Sequence, residues 1–323
     1  MSTSHRPAQH SAGLAAAALL SLLLGACGGG SSTSTPAANA SVTPAPGNLD
    51  QQPGAPVLTN NVATDGLNWI NYRRAQVGMP ALTRNSNIDR AAQGHSDYQK
   101  TNNTVTHDQR AGAPGFTGVH LSDRLSAAGY VFPRADSAYG EVISATSNSS
   151  GFYMAEELIT AIYHRFVMFE PKFKEIGTGS ATTTANYTYF TSNFAASNGY
   201  GPGIGASNMV TWPSNGQTLV TRNFFSDYEE PDPVPAANEV GYPISVHTDL
   251  DVPIGVVSFT VRPRGGAELP TRLLKLGADT HTPQSAAAII PLAILAAGTT
   301  YDVNFVGTVN NVPMTKSWSF TTR

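Results

Sequence analysis

Three polar side chains that could form a metal or proton-transfer site are scattered through the middle of the sequence. They are His107 in VTHDQ, Glu141 in YGEVIS and His164 in IYHRF. Each stands where the local pattern would normally place a small, apolar or turn residue. Imidazole and carboxylate groups brought together from distant segments are the usual components of such sites. The function of the chain therefore depends on whether these three side chains meet.

The composition excludes several classes of partner and mechanism. The 323 residues carry a net charge of −3 with 13% charged residues, and they contain no basic stripe for nucleic acid. Cys27 is the only cysteine, so the chain forms no internal disulfide and no thiolate metal cluster. The motifs H-E-x-x-H and G-x-S-x-G are both missing. An enzyme would therefore need a metal-activated water at His107 and His164, with Glu141 as general base.

The N-terminus has the pattern of a targeting segment. Arg6 precedes an apolar run from Leu14 to Leu24, which is too short to span a bilayer comfortably. The run ends in Leu24-Gly25-Ala26-Cys27, which resembles the lipobox of bacterial lipoproteins. The resemblance implies that residues 1–27 are a cleaved signal peptide and that a lipidated Cys27 anchors the chain to a membrane. An ordinary secretory signal with an incidental cysteine is the alternative.

The composition also divides the mature chain into segments. Gly28 follows the cysteine where an aspartate would indicate inner-membrane retention, so we predict the outer membrane if the cell is Gram-negative. Residues 28–60 are rich in Ser, Thr, Pro and Gly and predict a disordered tether. A second break at 199–235, containing GYGPGIGAS and EEPDPVP, predicts a connector. Two folded units result, at 61–198 and 236–323.

The first folded unit begins with two predicted helices. Helical spacing from Leu67 to Val77 ends at Gly78, a residue type typical just after a helix C-terminus. Ser86 followed by Asp89 predicts a capping box that opens a helix reaching about Lys100.

The remaining elements define the fold class. A third helix is predicted from Met154 to Met168, and an alternating strand at Asn186–Asn193. The second unit consists of short β-branched and aromatic runs, such as VVSFTVRP and TYDVNFVGTV, separated by turn residues. These runs predict an all-β sandwich of the immunoglobulin-like kind. The predicted fold class of the whole chain is α+β.

The first unit resembles a bacterial CAP domain, from the superfamily of cysteine-rich secretory, antigen 5 and pathogenesis-related-1 proteins. The motifs that carry the resemblance are Asn71-x-x-Arg74, Gly78-Met79-Pro80-x-Leu82, Ile88-x-x-Ala91-Ala92-x-x-His95-Ser96, His107, Asp123-Arg124-Leu125, Gly140-Glu141, His164-Arg165 and Phe173-x-Glu175-Ile176-Gly177. The resemblance implies an α-β-α sandwich with a central cleft. The second unit resembles bacterial Ig-like domains through Leu295-x-x-Gly298-Thr299-Thr300-Tyr301 and the closing Trp318-Ser319-Phe320-Thr321-Thr322.

The CAP resemblance implies a cleft tetrad of two histidines and two glutamates. His107 matches the first histidine, and Glu141 matches the glutamate of the G-E-N motif, whose asparagine is Val142 here. The second glutamate is Glu156 or Glu157. In some members of the superfamily the two histidines hold a divalent metal.

His164 would stand in for the second histidine of the tetrad. On one continuous helix Glu157 and His164 differ by only about 20° around the axis, whereas Glu156 and His164 differ by about 80°. We therefore favour Glu157, which gives a predicted cleft of His107, Glu141, Glu157 and His164. Its metal ligands would be His107 and His164, with Zn²⁺ or Mg²⁺ as the ion.

Structural roles for the same residues remain open. Glu141 could accept backbone N–H bonds, and His107 could be a satisfied structural group. His95 lies at helical spacing from small apolar residues and is predicted to pack in or near the core. Arg165 could clamp a ligand carboxylate or pair with Glu157, Asp136 or Glu175.

The sequence leaves three functions from different classes. The first is a membrane-anchored, extracytoplasmic module whose cleft binds a small, lipidic or other ligand or a divalent metal. The second is a metal-dependent hydrolase or protease. The third is an envelope interaction protein, in which the Ig-like unit captures a cell-envelope component and the CAP unit is a scaffold. Val142 and the missing nucleophile motifs favour binding over catalysis.

Overall fold

The computed structural model of the protein describes residues 49–132 and 136–323. The predicted signal peptide at 1–27, the lipidation site Cys27 and the first part of the predicted tether lie outside these residues and stay predictions. Within the described ranges, no helix has both the length and the apolar character needed to cross a membrane.

The chain is already folded before the predicted end of the tether at residue 60. A short 3-10 helix, Leu49–Gln51, places the Leu49 side chain in the main hydrophobic core. The carbonyl of Pro53 accepts a hydrogen bond from the Tyr72 hydroxyl at 3.0 Å. The prediction of a tether over residues 28–60 is therefore wrong from residue 49 onward, because one buried leucine anchors a segment whose average composition is that of a linker.

The N-terminal half is a four-stranded sheet between two layers of helices. Its helices are α1 (Val62–Gln76), α2 (Ser86–Asn102), α3 (Leu121–Ala127), α4 (Gly151–Thr160) and α5 (Ile162–Met168), and its strands are β1 (Thr83–Arg84), β2 (Ala138–Thr146), β3 (Glu175–Thr182) and β4 (Thr188–Ala196). The strand order is β1-β3-β4-β2, with β1 parallel to β3 and the other pairs antiparallel. Helices α2 and α3 cover one face, and α1, α4 and α5 cover the other.

Side-chain alternation along the strands decides which helical layer each residue meets. Gly177 and Gly179 of β3 face α2, and a Cβ atom on either glycine would lie 2.2 or 2.3 Å from the α2 backbone. Glycine at these positions therefore lets α2 lie directly on the sheet. Thr178, between them, points to the opposite layer and donates to the carbonyl of Ala63 in α1 at 2.8 Å.

The residue that caps α2 is Asn85. Its side-chain oxygen accepts hydrogen bonds from two backbone N–H groups in the first turn. Asp89 does not complete a box with Ser86; its carboxylate accepts from the backbone N–H of Thr178 on β3 at 2.9 Å. The capping box predicted from Ser86 and Asp89 is wrong because the aspartate makes a tertiary contact that local spacing does not reveal.

The helix predicted from Met154 to Met168 is interrupted at Ala161. The backbone of Ala161 is extended, with φ −68° and ψ 122°, so that α4 ends at Thr160 and α5 begins at Ile162. Arg165 satisfies the carbonyl end of α4, since its guanidinium donates to the carbonyls of Ile159 at 2.6 Å and Thr160 at 3.3 Å.

Glu229, from the segment predicted as a connector, satisfies the other side of this interruption. Its carboxylate accepts the backbone N–H groups of Ile162 at 2.8 Å, Tyr163 at 2.7 Å and His164 at 3.0 Å, and the side chain is fully buried. Glu157 and His164 therefore belong to different helices. The prediction that Glu157 and His164 share one face of a continuous helix is wrong.

The C-terminal half is rich in β-structure. Its strands are β5 (Val210–Trp212), β6 (Gln217–Val220), β7 (Asn223–Phe225), β8 (Glu239–Gly241), β9 (Ile244–His247), β10 (Ile254–Pro263), β11 (Thr271–Lys275), β12 (Ala286–Pro291), β13 (Thr300–Val309) and β14 (Val312–Thr322). Two four-stranded sheets have the orders β10-β13-β14-β6 and β11-β12-β9-β5, and β7 pairs with β8. The immunoglobulin-like assignment stays a prediction.

The segment 199–235 joins the halves as folded structure. It contributes β5 and β6, each of which is the edge strand of one four-stranded sheet. Apolar side chains of α5, including Ile162 and Phe166, share a buried cluster with Phe224 and Leu274 of the C-terminal half. The Gly- and Pro-rich composition of this segment therefore marks turns between short strands, and the two halves share a hydrophobic core.

Substitution of Glu229 tests the importance of the helix interruption. Glu229→Ala removes the acceptor of three backbone N–H groups at the start of α5, and we expect a loss of about 2–4 kcal/mol in the free energy of unfolding. Urea denaturation measures this loss. The neighbouring Glu230 is exposed, so Glu230→Ala should cost less than about 0.5 kcal/mol. Equal losses for the two variants would show that the cap is not a source of stability.

A second carboxylate at the junction predicts a dependence on pH. Glu170 is buried, and its carboxylate accepts from the backbone N–H groups of Lys172 at 2.9 Å and Leu250 at 3.1 Å. Desolvation raises the pKa of Glu170 to about 8. Because the folded-state pKa is raised, the contribution of Glu170 is fully present below the unfolded pKa of about 4.5 and is lost as the pH rises towards 8.

Glu170→Gln should remove that loss. We expect the free energy of unfolding of the variant, minus that of the wild type, to increase by a few kcal/mol between pH 5 and pH 8. Chemical denaturation at several pH values gives this difference. A difference that does not change with pH would contradict the assignment.

Candidate functional site

Glu141 of β2 is the centre of a polar cluster on the α2–α3 face of the sheet. Nδ1 of His107 lies 3.0 Å from Oε1 of Glu141. Arg124 of α3 donates from Nη2 to both carboxylate oxygens at 2.8 Å. The structure therefore brings together two of the three scattered polar residues, His107 and Glu141, and it adds an arginine.

Arg124 also fixes the backbone that carries His107. Its Nη1 donates to the carbonyl of His107 at 2.8 Å and to that of Val119 at 3.1 Å. The side chain is buried, at 1% exposure for the residue. Sequence reasoning gave Arg124 no role, although Asp123-Arg124-Leu125 was one of the family motifs. That motif was the one signal that could have identified it.

The charge state of Glu141 follows from these neighbours. Burial by itself would raise the pKa of Glu141, but Arg124, together with His95 and the hydrogen bond from His107, holds it well below its ordinary value. Glu141 is therefore an ionised acceptor at neutral pH. A carboxylate with so low a pKa, and with both oxygens bound to a guanidinium, is a poor general base.

The same carboxylate sets the tautomer of His107. An ionised carboxylate only accepts hydrogen bonds, so Nδ1 of His107 carries the proton and Nε2 has the free lone pair when the ring is neutral. None of the described residues forms a hydrogen bond to Nε2. The side chain is 17% exposed. His107 is thus held by Glu141 through one nitrogen and can offer the other to a bound molecule.

His95 is buried, as predicted, and it is also a neighbour of this cluster. Its Nε2 lies 2.7 Å from the carbonyl of Thr106, and Nδ1 lies 2.9 Å from Nε2 of Gln109. Nε2 is also 3.8 Å from Glu141. The Thr106 carbonyl requires a proton on Nε2, so Nδ1 accepts from Gln109 and the ring is satisfied in its neutral form. Desolvation lowers the pKa of His95.

His164 lies apart from this cluster and has its own carboxylate. Nδ1 of His164 is 2.8 Å from Oε1 of Glu229. Glu157 accepts from the hydroxyl of Ser144 on β2 at 3.2 Å. Positions 141 and 144 are three apart on one strand, so Glu141 and Ser144 point to opposite faces of the sheet. Burial raises the pKa of Glu157, which no arginine or lysine among the described residues contacts.

The predicted four-residue cleft is therefore divided: His107 and Glu141 bind each other, whereas Glu157 binds Ser144 and His164 binds Glu229. His107 and Glu141 lie on the α2–α3 face, whereas Glu157 lies on the opposite face with α4. Among the described residues, no group of three His, Cys, Asp or Glu side chains is arranged to hold a metal ion. The predicted metal ligands, His107 and His164, bind different carboxylates and do not form one donor set. Alternation along β2 and the interruption at Ala161 are the physical reasons.

Two other predicted roles change with the tertiary contacts. Glu156, the alternative to Glu157, is bound by Nε1 of Trp69 at 2.7 Å and by Arg73 in a bidentate pair at 2.8 Å. Arg165 meets none of the carboxylates suggested for it. It is buried and binds the carbonyl of Pro243 at 2.8 Å as well as the end of α4. Both residues therefore connect elements of the fold.

One protein-family model matches part of the chain. The model of the cysteine-rich secretory protein family, CAP, matches residues 67–194. These residues include His95, His107, Arg124 and Glu141. None of the curated proteins matches the chain.

Several solved structures are similar to part of the chain. An extracellular protein containing an SCP domain from Bacillus anthracis str. Ames is 25% identical, with 43% of this chain and 44% of that chain covered and a TM-score of 0.35. An outer surface protein from Borrelia burgdorferi is 14% identical, with 41% and 90% covered and a TM-score of 0.34. Venom allergen-like protein 4 from Schistosoma mansoni is 15% identical, with 42% and 88% covered and a TM-score of 0.28.

The buried ion pair of Glu141 predicts acid sensitivity. Since the folded-state pKa of Glu141 is lowered, its contribution to stability is present above the unfolded pKa of about 4.5 and is lost as the pH falls below that value. Glu141→Gln leaves Arg124 buried without its counter-ion. We expect a loss of about 3–5 kcal/mol at pH 7 and a weaker acid dependence below pH 4.5.

Denaturation curves at pH 7, 5 and 4 test this expectation. Glu268 is exposed, and Glu268→Gln is the control that should behave as the wild type. If Glu141→Gln is as stable as that control at pH 7, the ion pair with Arg124 does not support the fold.

Proposed function

We propose that the CAP domain at residues 67–194 is an extracytoplasmic binding module that uses His107 as its ligand-contacting residue. The ligand is a small molecule whose hydrogen-bond donor, or another electrophilic centre, contacts Nε2 of the neutral His107 ring. The observation that carries the proposal is the fixed tautomer of His107, whose Nδ1 is held by Glu141 at 3.0 Å while Nε2 has no partner among the described residues. The sequence supports a location outside the cytoplasm through the lipobox-like segment that ends at Cys27.

The geometry supports binding better than hydrolysis. The hydrolase alternative needs a base beside a metal-bound water, and Glu141 was the candidate for this role. Both of its oxygens accept from Arg124, which keeps the carboxylate ionised and weakly basic. The predicted pair of metal-binding histidines is divided between two carboxylates, Glu141 and Glu229. A module that holds one imidazole in a defined orientation matches these contacts.

The site would bind a divalent metal only weakly. Protein zinc sites that keep an open position usually have three protein ligands, and His107 is one donor. The contact from His107 to Glu141 does have the form of the carboxylate–histidine pairs that support metal ligands. Zinc is therefore useful as a probe of the exposed nitrogen, with modest affinity expected.

The envelope-interaction alternative requires a C-terminal half that acts independently of the CAP domain. Apolar residues of α5 share a buried cluster with this half, and Glu229 caps α5. Deleting residues 236–323 would expose that cluster. Capture of an envelope component is therefore better tested in the full chain with substitutions on the surface of the C-terminal half.

Substitution of His107 tests the proposed binding role. In titrations of the full chain with a fluorescent fatty acid and with Zn²⁺, we expect His107→Ala to weaken binding of at least one probe tenfold or more. The matched control is His281→Ala, because His281 lies on a different part of the fold, beside Tyr163. Wild-type affinities of His107→Ala for both probes would rule out His107 as the contact.

A parallel assay separates binding from hydrolysis. Peptide and ester libraries are incubated with the wild type and with His107→Ala, each with and without a chelator. We expect no turnover that depends on both His107 and a metal. Chelator-sensitive turnover that is lost in His107→Ala would favour the hydrolase alternative.

A further inference from the structure

We propose that a polar groove on the outer face of the C-terminal half binds a neutral oligosaccharide. The groove has a volume of about 570 Å³. Strands β10, β13 and β14 form its floor, and turns border it on two sides. All of the residues that line it lie beyond position 214, so the proposal is independent of the role proposed for His107.

The side chains of the floor point away from the hydrophobic core. Val303 of β13 and Trp318 of β14 are cross-strand partners, and both are buried. Asn304 and Ser317 are the adjacent pair of partners, so their side chains point to the opposite face of the sheet. Asn304 is half-buried and Ser317 is exposed. This face of the sheet is therefore accessible to a ligand.

Small polar side chains occupy neighbouring positions on the three strands of the floor. Thr260, Asn304 and Ser317 stand side by side in one row across the sheet, and Ser319 lies in the next row. Short hydroxyl and amide side chains leave space above the backbone, whereas longer side chains would fill it. The depth of the groove therefore comes from the small size of these residues.

Backbone hydrogen bonds hold the two turns that border the groove. After β10 the chain turns back along this strand, and the N–H of Leu269 donates to the carbonyl of Val261 at 2.9 Å. On the opposite side, the N–H of Gly216 donates to the carbonyl of Ser319 at 2.7 Å, and the side-chain oxygen of Asn215 accepts from the N–H of Ser319 at 3.2 Å. The groove is therefore formed before a ligand binds, which lowers the cost of binding.

The groove presents both donors and acceptors that internal contacts leave available. The side-chain oxygen of Asn304 accepts from the hydroxyl of Ser317 at 2.8 Å, which leaves the amide N–H groups of Asn304 as donors. The hydroxyl groups of Thr260 and Ser319 form no hydrogen bond with another residue in the part of the chain that the structure describes. A hydroxyl both donates and accepts. The hydroxyl groups of a sugar do the same, so they match such a surface.

The charges at the groove favour a neutral ligand. Two arginines, one aspartate and one glutamate line it, so its formal charges cancel. Arg264 and Asp302 pair with each other at 2.6 Å. Arg262 and Glu268, the other two charged residues, are exposed and therefore screened by salt. Neither an anion nor a cation gains from this balance, whereas an uncharged hydroxyl-rich molecule does not depend on it.

Size and the absence of an apolar wall restrict the ligand further. The volume of about 570 Å³ lies within the range of about 300–1,000 Å³ that is usual for ligand pockets. From β10 to β14 the floor is about 10 Å wide, because neighbouring strands lie about 4.8 Å apart. The two apolar residues at the groove, Val303 and Trp318, are buried. A short oligosaccharide held by hydrogen bonds fits these features, with a Kd on the order of 1 mM.

Titration of the full chain with cellotriose and with N,N′,N″-triacetylchitotriose tests the proposal. Saturation-transfer difference NMR is the measurement, because concentrated sugars raise Tm without binding. We expect saturable binding of at least one of these neutral trisaccharides, and the charged trigalacturonate should bind no more tightly. Failure of both neutral sugars to bind at about 20 mM, or tighter binding of trigalacturonate, would overturn the proposal.

Variants of the floor locate the binding. Ser317→Leu replaces a floor hydroxyl with a larger apolar side chain, and Asn304→Ala removes the amide donors. Each should weaken sugar binding at least fivefold. Thr315→Leu is the matched control, because Thr315 is exposed on the same face of β14 but lies outside the groove. Thr315→Leu and His107→Ala should both bind sugar as the wild type does.

Three results would contradict a sugar site in the groove. The first is wild-type binding by both Ser317→Leu and Asn304→Ala, and the second is equal weakening by Thr315→Leu. The third is a change in the sedimentation of the protein alone when Ser317→Leu is introduced, with sugar binding unaffected. That result would identify the groove as a contact between two copies of the chain. Urea denaturation of each variant verifies that it is folded.

Discussion

The interruption of the helix at Ala161 is the constraint on which the relation between the two halves depends. It leaves carbonyl groups at the end of α4 and N–H groups at the start of α5 without helical partners. Arg165 binds the carbonyls and Glu229 binds the N–H groups, and both side chains are buried. Arg165 also reaches Pro243, and Glu229 comes from beyond the CAP domain. Satisfying one helix break therefore joins the CAP domain to the C-terminal half.

The His107 cluster also depends on a buried arginine and a buried glutamate. Glu141 is ionised within the fold because Arg124 binds both of its oxygens, and this ion pair also holds the backbone at His107. The histidine then has a fixed tautomer with one available nitrogen. The Glu141 carboxylate positions His107 and balances the charge of Arg124, so it is too weakly basic to abstract a proton efficiently. The arrangement therefore supports recognition of a ligand.

Much of the fold could be predicted from the sequence, and the failures have identifiable causes. The helices around Leu67 and Ala91, the strand around Phe190 and the β-rich C-terminal half all follow from local periodicity. The single helix from Met154 to Met168 was wrong because its local pattern is helical throughout, and the groups that stabilise the break lie outside it. The segment 199–235 was predicted as a connector because its strands are too short to be recognised from local sequence. They are stabilised by pairing with strands that are distant in sequence.

The sequence by itself determined the chemistry available to this protein. It supplied the family motifs, the scarcity of nucleophiles, the unusual His107, Glu141 and His164, and the N-terminal pattern ending in Cys27. Only the tertiary structure decided how these side chains are paired. Strand alternation separated Glu141 from Ser144 and Glu157, and long-range contacts gave His107 and His164 different carboxylates. The spacing of residues along a chain fixes the direction in which side chains point within one helix or strand. Whether side chains from different elements meet depends on how those elements pack.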